Sequence, residues 1–385
     1  MERYTSFAQT SIGASHISRG LICQDSSACV DREKYSFAAA ADGHGSLCYL
    51  RTDRGSRFAV ECAAECVSEF MEGLAEAEEL LQDERQREEL LNQLWRSIIA
   101  RWHDVTEQDF LNDPFTEEEL ERIPEDIFPG YRERYEEGEY IGAYGTTLVF
   151  AVVTDSYAFG AQIGDGKCVV IDCDSNIVAP IPDDPRCYEN ITTSMCQDDA
   201  ALSARFFYLP KGMLPAAVFL CTDGVENSYW NEDQLFGFFR GLALTIVENG
   251  IEDSVRQLSE FLPSMTKKGS GDDVSCAGIV HVRRLCSCSD GIREDLAASV
   301  IAAEASAAAA AVVPPDDIVY VDEDMQQVVS DVIHEEENTP EEASEQSNTP
   351  DEETEQPKTE PEAESKVEPE AAETAEEAQE EKNEE

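Results

Sequence analysis

The chain has 385 residues and a formal net charge of −54, enough length for one large domain or two ordinary ones. Residues 316–385 hold 28 acids against three lysines, a net of −25, so the preceding 315 residues carry −29. Such a chain excludes nucleic acid as an expected partner, because phosphate contacts need clustered Lys and Arg, and disfavours an anionic membrane surface for the same reason.

Residues 1–15 hold one Arg and no continuous apolar core, and no stretch reaches the length of a membrane span. Thirteen cysteines, an odd number in a large chain, then predict reduced thiols and a cytoplasmic protein. No Cys/His spacing points to zinc, and Cys286 and Cys288 read as packing residues.

In chain order, residues 4–25 are short alternating pieces broken at Gly13 and Gly20. Residues 28–30 and 35–41 predict a hairpin. Phe58, Cys62, Cys66 and Phe70 recur every four residues and mark one helical face. A second helix is expected over 80–102, with Leu90, Leu91, Leu94, Trp95, Ile98 and Ile99 on its stripe. Residues 112–139 form a polar connector, long for a plain loop and readable as a lid or an insertion. Thr116 followed by Glu119 resembles a capping box within it.

Residues 146–154, 156–163 and 167–172 predict a three-strand meander. Residues 176–205 are irregular. A buried strand over 216–222 precedes helices at 232–247 and 252–262, and 274–282 is a final strand. Strands without strict βαβ alternation predict an α+β fold with antiparallel sheets covered by helices. Three regions are expected: a globular unit at 1–290, an Ala-rich helix or spacer at 291–313, and a disordered acidic tail at 314–385. The tail reads as a solvated spacer or as a recruiter of a basic partner.

Four carboxylates stand at strand ends. Asp42-Gly43 follows the apolar run 37–41, Asp165 lies between two strands, Asp223-Gly224 follows 218–222, and Asp272-Asp273 precedes 274–280. Asp42-Gly43 alone also fits an ordinary hairpin turn. Together, with Asp25, the acids form an all-oxygen set suited to Mn²⁺ or Mg²⁺ rather than zinc.

Asp42-Gly43-His44-Gly45, Gly145-Thr146-Thr147, Gly164-Asp165, Thr222-Asp223-Gly224 and Ser270-Gly271-Asp272-Asp273 stand in the order and spacing of a known family. The set resembles the metal-dependent type 2C protein phosphatases, and the opening from Gly13 through His16 to Gln24-Asp25 resembles their bacterial branch. The resemblance implies a four-layer α-β-β-α sandwich with two central antiparallel sheets. It implies hydrolysis of phosphoserine and phosphothreonine in a phosphorylated protein, opposing a Ser/Thr kinase, by a water or hydroxide shared between two ions. By the same resemblance Asp42 bridges both ions and the Gly43 carbonyl binds one. Asp223 and Asp272 complete the other site, Asp165 holds a third, looser ion, Asp25 orients water, and His44 protonates the leaving oxygen.

The sequence also departs from that family. Gln24 replaces a usual Glu, Gly166 a Ser, and Asp273 an Asn. The phosphate-binding Arg is missing from its place, leaving Arg19, Arg51 and Arg54 as candidates. A non-catalytic binding module of the same fold, and a small-molecule phosphatase, stay open as alternatives.

Overall fold

The computed structural model describes residues 3–74, 78–188 and 191–310. The acidic segment 311–385, and the spacer and recruiter readings made of it, lie outside the described residues.

Strand β3 (Tyr35–Ala41) shows why the fold is layered. All seven of its residues are buried, so both of its faces must be covered. Phe37, Ala39 and Ala41 pack among helical side chains, whereas Ala38 and Ala40 pack against a second sheet. Two five-stranded antiparallel sheets result. One runs β2 (Ser26–Asp31), β3, β4 (Leu148–Thr154), β5 (Tyr157–Ile163) and β8 (Arg205–Pro210). The other runs β1 (Thr5–Ser11), β10 (Val274–Val280), β9 (Ala217–Cys221), β6 (Lys167–Ile171) and β7 (Ile177–Val178).

Helices close the outer faces. α2 (Thr52–Leu74) and α3 (Glu84–Asn112) cover the first sheet, burying Phe58, Cys62, Cys66, Trp95 and Trp102. The two indole N–H groups are satisfied inside, donating to the carbonyls of Ala200 (2.8 Å) and Gly55 (2.9 Å). α7 (Glu232–Asn249), α8 (Ile251–Lys268) and α9 (Val282–Ala310) cover the second sheet, with Phe239 stacked on Phe219 at 5.2 Å. The four-layer α-β-β-α sandwich therefore follows from three apolar layers between four sets of elements.

Several local expectations change. α3 runs to Asn112 rather than 102, because Val105, Thr106 and Phe110 continue its packed face, and the helix stops just before Pro114. A short helix α1 (Ala14–Arg19) forms where only chain breaks were expected. The connector holds α4 (Glu117–Glu121), with the Thr116–Glu119 capping box formed, and α5 (Tyr131–Glu136). The meander does not form: β6 leaves β5 and pairs with β9 in the opposite sheet. Gly164, at φ +93°, turns the chain, and a Cβ at Gly166 would meet the Cys221 carbonyl at 2.7 Å. The last helix begins at Val282 rather than 291, because Leu285, Cys288 and Ile292 give it a buried face. All thirteen cysteines are free, and no helix among the described residues is long and apolar enough to cross a membrane.

Candidate active site

The strand ends of both sheets bring the acids to one place. Asp42 follows β3, Asp165 lies on the crossing from β5 to β6, Asp223 opens α6 (Asp223–Glu226) after β9, and Asp272 precedes β10. They line one open cleft of about 680 Å³ together with Gly43, His44, Gln24 and Arg19. The sheet-to-sheet crossing that replaces the expected meander is what carries Asp165 there.

Asp42 is held by its own backbone. Its N–H donates to Thr147 Oγ1 (3.0 Å), and its carbonyl accepts from the Thr147 N–H (2.8 Å) and from Thr146 Oγ1 (2.8 Å). Gly145-Thr146-Thr147 thus acts as a clamp that leaves the Asp42 carboxylate unspent. Gly43 pairs with Thr146 across the strand end. A Cβ on Gly43 would lie 2.4 Å from Thr52 Oγ1 and 2.6 Å from the Gln24 carbonyl, so only glycine fits.

Asp25 lies buried behind the cleft rather than on its wall. It accepts a hydrogen bond from Thr222 Oγ1 at 2.7 Å, and that oxygen accepts the Ser275 N–H at 2.9 Å. Burial pushes the Asp25 carboxyl well above the usual carboxylate range, and the Asp273 and Asp223 charges add to this. Asp42 is raised in the same way, first by burial and then by Asp223 and Asp25. Burial also raises Asp223 and Asp165. Four acids raised together form a site that takes up protons or a cation.

The donor set suits a hard divalent ion. Its side-chain and carbonyl donors are all oxygen, and Gln24 Oε1 on the same wall is buried without a partner. Among the described residues no group of three or more His, Cys, Asp or Glu side chains is placed to hold a metal ion. Asp42, Asp165, Asp223 and Asp272 line the cleft with Gly43, and oxygen ligands of this kind are those Mg²⁺ and Mn²⁺ prefer.

His44 sits on the cleft with its N–H on the Gly145 carbonyl at 3.2 Å. Burial pushes its imidazole down to about 4. His16 takes a different place. Its Nδ1 is 3.0 Å from Asp273 and its Nε2 is 3.4 Å from Asp272. Asp273 is buried and accepts two backbone N–H groups, from Gly13 (2.6 Å) and Gln24 (2.5 Å), one on each carboxylate oxygen. An asparagine there could accept only one of them through oxygen, which gives the Asp at this position a structural reason.

Of the three arginine candidates, the cleft includes Arg19 alone. Arg51 is buried, bonded to Glu119 (3.2 Å), Tyr144 (3.2 Å) and the Asp113 carbonyl. Arg54 is spent on Asp109 (2.9 Å) and Asp113 (2.8 Å). Both pin the connector to the start of α2, which corrects the expectation that either serves phosphate. Sequence reasoning included Thr222 in a motif but gave no role to Thr222, Ser275 or Tyr49. A hydroxyl residue next to a strand-end acid was the only local signal for the first two.

The chain is similar to the solved serine/threonine phosphatase Stp1 from Staphylococcus aureus, at 18% identity over 73% of this chain and 95% of that one, with a TM-score of 0.43. It is similar to the S. agalactiae serine/threonine phosphatase at 13% identity over 72% and 99%, with a TM-score of 0.42. It is also similar to PppA, a regulatory component of T6SS in Pseudomonas aeruginosa, at 14% identity over 72% and 97%, with a TM-score of 0.43. No curated protein matches. The profile of the protein phosphatase 2C family matches residues 12–263, around two thirds of the sequence and every strand-end acid but Asp272. The chain belongs to the protein phosphatase 2C family.

Proposed function

We propose that the chain hydrolyses phosphoserine and phosphothreonine in proteins, with two Mn²⁺ or Mg²⁺ ions held by Asp42, the Gly43 carbonyl, Asp223 and Asp272. A third, looser ion belongs at Asp165. The observation that carries this reading is the convergence of four strand-end carboxylates on one open cleft, all raised or exposed, with Arg19 beside them. When bound, the ions supply a water of lowered pKa and offset the charge of the phosphate.

The chain's own residues do the remainder. The Thr146–Thr147 clamp fixes Asp42 and keeps both carboxylate oxygens free of protein hydrogen-bond donors in the clamp. Asp25, tied to Thr222, holds a charge and an acceptor behind the reacting water. Arg19 offers a guanidinium to the phosphate oxygens. His44 donates to the departing serine or threonine oxygen. It is neutral in the free cleft at pH 7, and the dianionic ester raises its proton affinity, so the proton is taken up with the substrate. A cytoplasmic protein that opposes a Ser/Thr kinase fits these properties.

Phosphate release tests the substrate class. With Mn²⁺, kcat/KM on phosphoserine and phosphothreonine peptides is expected to exceed that on sugar and nucleotide monoesters by about tenfold or more, since peptide contacts add binding that small esters lack. The reverse ranking identifies a small-molecule phosphatase. No turnover on any phosphopeptide supports the non-catalytic module, for which Gln24 in place of Glu and the missing phosphate-binding Arg are the motive.

A further inference from the structure

Among the described residues no carboxylate or carbonyl hydrogen-bonds the ring of His44, so packing sets its direction. The ring that packs on it is Tyr49, also on the cleft wall. The two centroids are 4.7 Å apart at an interplanar angle of 68°, the edge-to-face arrangement that aromatic rings favour. The pair closes over Gly145. A Cβ there would lie 2.6 Å from His44 Cδ2 and 2.7 Å from Tyr49 Cδ1.

The backbone at and beside Tyr49 is held at three points. Its N–H donates to the Ser46 carbonyl at 2.9 Å, and the Arg51 N–H donates to Ala143 at 2.9 Å. The Tyr135 phenol, from α5 of the connector, donates to the Cys48 carbonyl at 2.8 Å. Tyr135 is buried and packs on Phe115 at 5.2 Å, over which the Arg51 guanidinium lies at 4.7 Å. The connector therefore reaches the residue next to Tyr49.

We propose that Tyr49 is a positioning residue for His44, aiming the imidazole at the leaving oxygen, and that the 112–139 connector acts on the site through it. This rests on the phosphatase reading and on His44 as proton donor.

The leaving group separates positioning from mere structure. A departing serine oxygen needs a proton, whereas p-nitrophenolate leaves without one. Tyr49→Leu is expected to lower kcat on a phosphoserine peptide about tenfold or more, with a change within about twofold on p-nitrophenyl phosphate. Tyr49→Phe keeps the ring and restores the peptide rate. Added to His44→Ala, Tyr49→Leu gives no further loss. A second readout needs no turnover. In metal-free protein the His44 ring protons, assigned with His44→Ala, lose their ring-current shift in Tyr49→Leu and keep it in Tyr49→Phe. Equal loss on both substrates, or an unmoved His44 signal, overturns the proposal while His44→Ala still reports on the donor role. If Tyr49→Leu does not fold, Tyr135→Phe removes only the bond to Cys48. A peptide-selective loss in that variant supports the proposal, and an equal loss or none overturns it. If wild-type protein with Mn²⁺ hydrolyses neither substrate, the phosphatase reading falls and takes this proposal with it.

Discussion

Without a cation, the surroundings of Asp42 disfavour its charged form. Burial and the Asp223 and Asp25 charges raise its carboxyl above the value it has in the unfolded chain. For such a group the stabilising contribution is complete below the unfolded pKa and is lost as pH rises through the folded one. In chelator, the melting temperature of the wild type should therefore fall as pH rises from about 4 towards 7, and fall less for Asp42→Asn. At pH 7 without metal, Asp42→Asn should melt higher than the wild type. Mn²⁺ should reverse that order, since it stabilises only a chain that binds it. A wild type whose melting point is flat with pH and indifferent to Mn²⁺ contradicts this account of the charge. Two further substitutions belong at this scale. Gly43→Ala forces a Cβ onto Thr52 and the Gln24 carbonyl and should destabilise by about 1–3 kcal/mol in denaturant unfolding. Arg19→Ala should raise KM for a phosphopeptide several-fold, whereas Arg54→Ala, already paired to Asp109 and Asp113, should leave KM unchanged.

At the scale of elements, the site exists because strands end where they do. That much was legible, because an apolar run closing on Asp-Gly is a local pattern seen at Asp42 and Asp223, and two further strand-end acids in order, Asp165 and Asp272, limit the alternatives. The crossing at 164–166 was not legible. Alternation and turn residues identify β5 and β6 as strands, but nothing in either strand says which sheet it joins. That choice is made by pairing with β9 in the other sheet, where the Cys221 carbonyl stands against Gly166. The Asp273 staple was hidden for a related reason, since its partner Gly13 lies 260 residues away. Arg51 was misread because exposure cannot be seen in a sequence: an arginine near a catalytic loop looks like a phosphate ligand until Glu119 is found against it. The connector follows from that pair. Arg51→Met should take the counter-charge from partly buried Glu119, leaving it only its Thr116 hydrogen bonds, and cost up to about 3 kcal/mol, the low end for breaking a buried ion pair from one side. Urea unfolding measures it, and a change under about 1 kcal/mol would mean that the connector is held by its aromatic packing instead.

For the whole molecule, net charge and catalysis pull apart. A chain at −54 repels phosphate at long range, yet the proposed site must draw in a dianion. The cations implied at the four acids resolve this locally, and half-exposed Asp272 keeps the cleft open to them. We propose the globular unit 1–290 with its following helix as sufficient for turnover. A chain ending at residue 313 is expected to keep kcat/KM on a phosphopeptide and to melt within about 2 °C of the full chain. The central claim is that divalent metal at the strand-end acids drives hydrolysis of phosphoserine. Phosphate release from a phosphoserine peptide, with Mn²⁺ and with EDTA, wild type beside Asp42→Asn, tests it most directly. Wild type should turn over with Mn²⁺, stop in EDTA and recover when Mn²⁺ is restored, while folded Asp42→Asn stays at background throughout. Full wild-type turnover in EDTA, or wild-type rates from Asp42→Asn, would contradict it.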